Sequence, residues 1–211
     1  MDTLSSLVDA VYEGNLEIVV ENTKQAIQEG ISVIDILENG LMTGMDHVGK
    51  DFKAGDLFIP EVLIASRAMQ AGMEILKPLL MTQKIHTQGK VVLGTVEGDL
   101  HDIGKNLVSI MLQGAGFEVI DLGVDVSKET FLQAIHDHKP DLLGMSSLLT
   151  TTMTRMPEVV KAIEEAGLRN QIKIMVGGAP LNEKYAQTIG ADGYAQNSSI
   201  AVELAKSLLS K

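Results

Sequence analysis

One loop in this chain sets ionisable side chains at a spacing that chemistry could use. It reads Glu97-Gly98-Asp99-Leu100-His101-Asp102-Ile103-Gly104-Lys105-Asn106. Two phosphate-binding readings fail on it. A P-loop needs four residues between its first Gly and the Gly-Lys pair, then a Ser or Thr for magnesium. Here five residues separate Gly98 from Gly104, and Asn106 follows Lys105. A dinucleotide fingerprint needs G-x-G-x-x-G at a strand-to-helix turn, and only one of those glycines is in place. What is left is a His two residues after an Asp. A ligating imidazole usually passes its other ring N–H to a carboxylate, which fixes the tautomer and raises the ring's basicity. Asp99 can do this for His101 if Leu100 turns away. The plain alternative is two polar residues solvating a loop, and for an isolated D-x-H that is the commoner case.

Two later stretches bear on the choice. Ser146-Ser147-Leu148-Leu149-Thr150-Thr151-Thr152 offers neutral hydroxyls, and Gly177-Gly178-Ala179 offers backbone nearly free of side chains, where a bulky flat group could lie. A hydrolytic metal centre would need two or three more His or carboxylate ligands, and neither stretch supplies them.

The elements that must position these residues follow from hydrophobic rhythm. From Val91 onward, short β-rich runs (Val91 to Val96, Phe117 to Asp121, Leu142 to Ser146, Ile172 to Val176, Gly193 to Ala195) alternate with amphipathic helical segments. Such alternation builds a parallel sheet covered by helices on both faces. Ligands bind at the carboxyl ends of its strands, which is where the three stretches fall. Before residue 82 the period is helical. Asn15 caps a helix closed by Gly30, and Ser32 opens a second running toward Val48. Pro60 suits the first turn of a long third, which Pro78 should bend or end. With a short helix from Leu4 to Tyr12, this half reads as a four-helix bundle. The expected organisation is a helical bundle cap over 1–82, a linker over 83–89, and an α/β Rossmann-like (flavodoxin-like) domain with a parallel five-stranded sheet over 90–211.

Composition narrows the function. The 211 residues carry 17 Lys plus Arg against 28 Asp plus Glu, a net charge of −11, and only 3% aromatics, so no basic footprint is visible and few stacking platforms for nucleic acid are offered. The N-terminus lacks the basic and apolar regions of a signal peptide, and no apolar run is long enough to span a bilayer, so a cytoplasmic protein without membrane contact is expected. Cys is absent, which removes disulfides, thiolate metal sites and Cys nucleophiles together. Any metal must be held by His, carboxylate or a cofactor ring. His47, His86, His136 and His138 read as surface or structural residues, and Met69, Met73 and Met81 as core or cap lining.

Taken together, D-x-H-x-x-G (Asp99, His101, Gly104), S-x-L (Ser146, Leu148) and G-G (Gly177, Gly178) resemble the corrinoid-binding signature of cobalamin-dependent proteins. Order and spacing fit: 41 residues separate Gly104 from Ser146, and 28 separate Leu148 from Gly177. Asp56 to Leu63 and onward to Met69 looks like the helical cap of methionine synthase and of the small corrinoid proteins of methyltransferase systems.

The resemblance implies that His101 is the lower axial ligand of cobalt in a base-off corrinoid, with Asp99 and a hydroxyl at Thr152 completing a relay. The displaced nucleotide tail would pass Gly98, Asp102, Ile103 and Gly104 and run beside Ser146, Leu148 and Thr150 toward Gly177 and Gly178. Phe58 and the apolar residues from Val62 to Met69 would shield the upper face. The implied function is a methyl shuttle rather than a stand-alone enzyme. It would accept a methyl group on cobalt(I) from a donor-specific methyltransferase (methoxylated aromatic, methylamine, betaine or methanol type). It would pass that group to a second methyltransferase serving tetrahydrofolate or a thiol coenzyme. With no Cys of its own, the chain should rely on a separate reductive activating protein. The alternatives are a coenzyme-binding subunit of an adenosylcobalamin mutase, against which the bundle argues, and a corrinoid-sensing regulator. A regulator would carry a DNA-binding domain ahead of the bundle, where none is expected.

Overall fold

The computed structural model describes residues 2–83 and 88–210. Two compact units emerge, Met1–His86 with Gly114–Gly116, and Thr87–Gln113 with Phe117–Lys211. The segment expected as a linker falls largely on residues 84–87, outside the described ones.

The first unit is helical. Helix α1 (Thr3–Tyr12) is capped by Asp2, whose carboxylate accepts from the Ser5 N–H, and α2 (Leu16–Gln28) by Asn15, which accepts from the Ile18 N–H. Ser32 opens α3 (Val33–Asp35), accepting from the Asp35 N–H while its own hydroxyl donates to the Asp35 carboxylate. The helix then loosens into a π segment, Ile36–Met42, before resuming as α4 (Thr43–Ala54). Helix α5 (Ile59–Gln83) begins just past Phe58, whose N–H donates to Glu61, half of a capping box. Pro78 does not end α5, which runs five residues beyond it to Gln83. A helix-interior Pro removes one backbone bond, and the turns around it hold the helix together.

Leu7, Val11, Val19, Ile36, Leu41, Val48, Val62, Ala65 and Leu76 are fully buried and make the core of this unit. Of the residues expected to shield the upper face, Val62, Ala65, Ala68 and Met69 are buried within the unit, whereas Phe58, Leu63 and Ile64, with neighbouring Ile59, stand exposed.

The second unit is doubly wound. Among the described residues five parallel strands, β1 (Lys90–Thr95), β2 (Glu118–Asp121), β3 (Leu142–Ser146), β4 (Lys173–Gly177) and β5 (Gly193–Ala195), lie in the order β2-β1-β3-β4-β5. The helices are α6 (Ile103–Gly114), α7 (Lys128–His138), α8 (Met156–Glu165), α9 (Glu183–Thr188) and α10 (Ser198–Leu209). One face of the sheet (Val92, Leu143, Met145, Ile174, Val176) packs against Phe131 of α7, Met156 and Ile163 of α8, and Ala186 of α9. Right-handed crossovers put α6, which joins β1 to β2 in the reverse direction, on the other face. The strand order reverses between β1 and β3, which is the switch point where open α/β sheets bind ligands. The D-x-H loop leaves β1 there, and the Ser/Thr stretch leaves β3 beside it.

Candidate functional site

Asp99 is the centre of the site and is wholly buried. Its Oδ1 takes the His101 ring at Nδ1 (2.7 Å) and the His101 N–H (3.1 Å). Its Oδ2 takes the Thr152 hydroxyl (2.7 Å) and the Leu148 N–H (2.8 Å). Burial alone would push this carboxyl up. The Thr152 hydroxyl, the Leu148 N–H and the two His101 donors outweigh it and hold the group well below the usual carboxylate range. An anion so held fixes the imidazole's orientation: Nδ1 donates to Asp99, and Nε2 is the remaining nitrogen of a ring that is 51% exposed.

The hydroxyl expected at Thr152 as third member of the relay is in contact with Asp99, and it has company. Ser147 Oγ lies 2.8 Å from Thr152 Oγ1 and 3.3 Å from Asp99 Oδ2. The single Thr152 proton is committed to Asp99, so Ser147 is the donor between the two hydroxyls. Ser147 was not singled out in the sequence, where Ser146 matched the motif. Strand β3 ends at Ser146, and the chain turns so that the next residue reaches the carboxylate. Thr95 carries no motif either: buried, it donates from its hydroxyl to the His101 carbonyl at 3.0 Å. Asp125, which accepts from the Gly98 N–H at 2.7 Å, is a third. No motif marks either residue, because both act through the tertiary approach of neighbouring loops.

The glycines divide into two kinds. A Cβ at Gly178 would stand 1.8 Å from the Ser147 carbonyl oxygen, and its φ is +135°. Its absence of a side chain thus serves the protein's own packing and seats Ser147. At Gly177 a Cβ would meet the Ala195 carbonyl at 3.0 Å. Gly104, by contrast, meets nothing and has an ordinary backbone. Asp102 opens α6, its carbonyl accepting from the Asn106 N–H and its carboxylate from the Asn106 amide. Ile103 and Thr150 are exposed, and Phe58 belongs to the helical unit. Of the other histidines, His47, His136 and His138 are exposed, and His86 lies outside the described residues, as does the side chain of Met81. Met69 is buried in the bundle.

A corrinoid fits these residues on three observations. Leu100, Ile103, Leu148 and Leu149 are 72%, 75%, 44% and 41% exposed, apolar side chains on the segment that carries His101 and on the β3 loop that contacts Asp99. The bare surface at Gly104 admits a group close to backbone. The Ser198 hydroxyl, buried at the start of α10 three residues past Ala195, has no partner among the described residues. Among the described residues no three His, Asp or Glu side chains are grouped to hold a metal, so His101 would supply one ligand and a ring the rest.

Residues 89–203 match a family described as the B12 binding domain, and residues 3–77 match a second family of the same description. A corrinoid protein of Desulfitobacterium hafniense (strain Y51) is 40% identical over 214 residues, covering 100% of this chain and 99% of its own. Trimethylamine corrinoid protein 1 of Methanosarcina acetivorans is 40% identical over 210 residues, 99% of this chain and 97% of its own. A chain in the crystal structure of the methanol:cobalamin methyltransferase complex MtaBC of Methanosarcina barkeri superposes with a TM-score of 0.88 at 33% identity, covering 98% of this chain and 79% of that one. No helix among the described residues is long and apolar enough to cross a membrane. Two family matches, relatives aligned nearly end to end, and an exposed imidazole seated on a buried carboxylate at the sheet's switch point converge: this chain belongs to the B12-binding family of corrinoid proteins.

Proposed function

We propose that this protein is the corrinoid-carrying methyl shuttle of a methyltransferase system, binding its cofactor base-off with His101 as lower ligand. The observation that carries the reading is the His101 ring, half exposed and tied through Nδ1 to buried Asp99. When bound, the corrinoid supplies a cobalt(I) nucleophile for a methyl group, which a second acceptor can later remove.

The chain's own residues do the rest. Thr152, Ser147 and the Leu148 N–H keep Asp99 ionised, so Nδ1 keeps its proton and Nε2 faces the ligand position. Asp99, holding the ring through Nδ1, would keep Nε2 oriented toward the group it would hold. Leu100, Ile103, Leu148 and Leu149 exclude water from the apolar faces around the ring. The bare surface at Gly104, with Gly177 and the Ser198 hydroxyl beyond, takes the nucleotide tail past Ser146 and Thr150. The resemblance assigns shielding of the methyl-bearing face to the helical unit, in which Phe58, Leu63 and Ile64 are exposed apolar side chains.

The partners of this function are a donor-specific methyltransferase, an acceptor methyltransferase and a reductive activating protein. The relatives' names include trimethylamine and methanol systems, which supports a small methylated donor selected by the partner.

The test is reconstitution. Apo-protein is mixed with hydroxocobalamin, desalted and examined by visible spectroscopy beside His101→Ala. Corrinoid retained by the wild-type protein, with a spectrum that changes in the variant, supports the reading. Loss of corrinoid from folded wild-type protein contradicts it.

A further inference from the structure

Segment 121–126, between β2 and α7, is pinned to β1 along its length. The Leu122 N–H donates to the Leu93 carbonyl (2.8 Å), the Thr95 N–H to the Gly123 carbonyl (3.0 Å), and the Val126 N–H to the Thr95 carbonyl (2.9 Å). Val126 also makes an isolated parallel bridge with Val96. At the start of the segment Asp121 receives the ammonium of Lys105, whose side chain is 2% exposed, and its other oxygen accepts from the Gly123 N–H.

Between these anchors Asp125 adopts φ +55°, a left-handed backbone that residues with a Cβ enter at a cost and that Asp and Asn tolerate best. The turn aims two groups at the loop after β1. Asp125 Oδ1 accepts from the Gly98 N–H at 2.7 Å, and the Asp125 N–H donates to the Asp99 carbonyl at 3.1 Å. Gly98 is itself left-handed at φ +82°. Asp99 is thus held twice: its carboxylate by Thr152 and Leu148 of the β3 loop, its backbone by Asp125 of the β2 loop.

We propose that Asp125 is a positioning residue for the His101 ligand, fixing the Gly98–Asp99 backbone so that the carboxylate and the imidazole keep their register. The proposal rests on His101 being the lower ligand. Its effect is on the ligation equilibrium of the ring rather than on cofactor uptake as such.

The test uses two variants of the full chain. Asp125→Gly keeps the left-handed turn and removes the acceptor, while Asp125→Asn keeps a carbonyl acceptor and tolerates the turn. After hydroxocobalamin loading, the ratio of His-ligated to His-free corrinoid, read from visible spectra, should fall about three- to tenfold in Asp125→Gly. It should return to within about twofold of wild type in Asp125→Asn. An unchanged ratio in Asp125→Gly, or an equal fall in both variants, overturns the proposal.

Independently of cofactor and of variant folding, the Gly98 amide in wild-type apo-protein should exchange with deuterium at least about tenfold more slowly than an unstructured glycine. Free exchange there overturns the proposal too. Failure of the wild-type protein to bind corrinoid through His101 would fall on the functional reading, and the Gly98 amide then decides alone whether Asp125 holds the loop.

Discussion

Replacing Thr152 by Val removes one hydroxyl while keeping a branched side chain of similar shape. That hydroxyl is buried and donates at 2.7 Å to an ionised, wholly buried carboxylate. Hydrogen bonds to charged groups contribute about 1.5–3 kcal/mol, and a buried acceptor left short of a donor sits toward the upper end. Ser147 Oγ, 3.3 Å from Asp99 Oδ2, can shift toward the carboxylate and offset part of the loss. We therefore expect about 2 kcal/mol of destabilisation of the sheet unit. Thr152→Ser, which loses one methyl and keeps the donor, should cost about 0.8 kcal/mol.

Native-state hydrogen exchange at the buried β3 amides of Leu143 and Met145 reads this directly, because core strands open only with the whole unit. Exchange there should quicken roughly thirtyfold in Thr152→Val and about fourfold in Thr152→Ser. The pH dependence has a definite sign. Folding lowers the Asp99 pKa below its ordinary value of 3.8, so the stability it contributes is complete above that value and is lost as pH falls below it. The gap between wild type and Thr152→Val should be constant above about pH 5 and narrow below about pH 4. A Thr152→Val protein exchanging within threefold of wild type, or a Ser variant as damaged as the Val variant, would refute the reasoning.

Three further substitutions separate packing from charge. Gly178→Ala should fail to accumulate as folded protein, or lose about 4 kcal/mol or more, since its Cβ would sit 1.8 Å from the Ser147 carbonyl oxygen at a φ of +135°; urea denaturation of purified protein measures it. Asp121→Ala should cost about 2 kcal/mol or more by stranding the buried Lys105 ammonium, whereas Lys105→Met should cost under about 1 kcal/mol, because its partner is 34% exposed and can rehydrate. Paired urea denaturation curves of the two variants give the order, and a reversed order would contradict it.

What the sequence makes legible here follows from how local each signal is. Asp99, His101 and Gly104 lie within one short stretch, and the strand-to-helix alternation that places it at the carboxyl end of a strand is a repeating pattern, so both can be read from the chain alone. The choice between Ser146 and Ser147 is not local: it depends on β3 stopping one residue before the chain turns toward Asp99. Asp125 is further from view, since its left-handed turn matters only because two loops from different strands meet. Gly177 and Gly178 are conspicuous in the sequence as bare surface. The structure adds a reason internal to the protein, the approach of the Ser147 and Ala195 carbonyls. In the helical unit, caps such as Asn15 and Ser32 announce their helices. The π segment Ile36–Met42 and the passage of α5 through Pro78 carry no such signal, because packing rather than propensity sustains them. The same burial withdraws Val62 and Met69 from any role at the surface and leaves Phe58, Ile59, Leu63 and Ile64 in their place.

The central claim is that a His101 nitrogen binds cobalt, and electron paramagnetic resonance tests it most directly. The protein is produced with histidine carrying heavy nitrogen, loaded with hydroxocobalamin and reduced by one electron to cobalt(II). The account predicts a nitrogen splitting that changes from a triplet with ordinary histidine to a doublet with the labelled one, and a doublet that vanishes in labelled His101→Ala. A splitting indifferent to the histidine label in the wild-type protein, or a label-dependent doublet that survives in His101→Ala, would contradict the account.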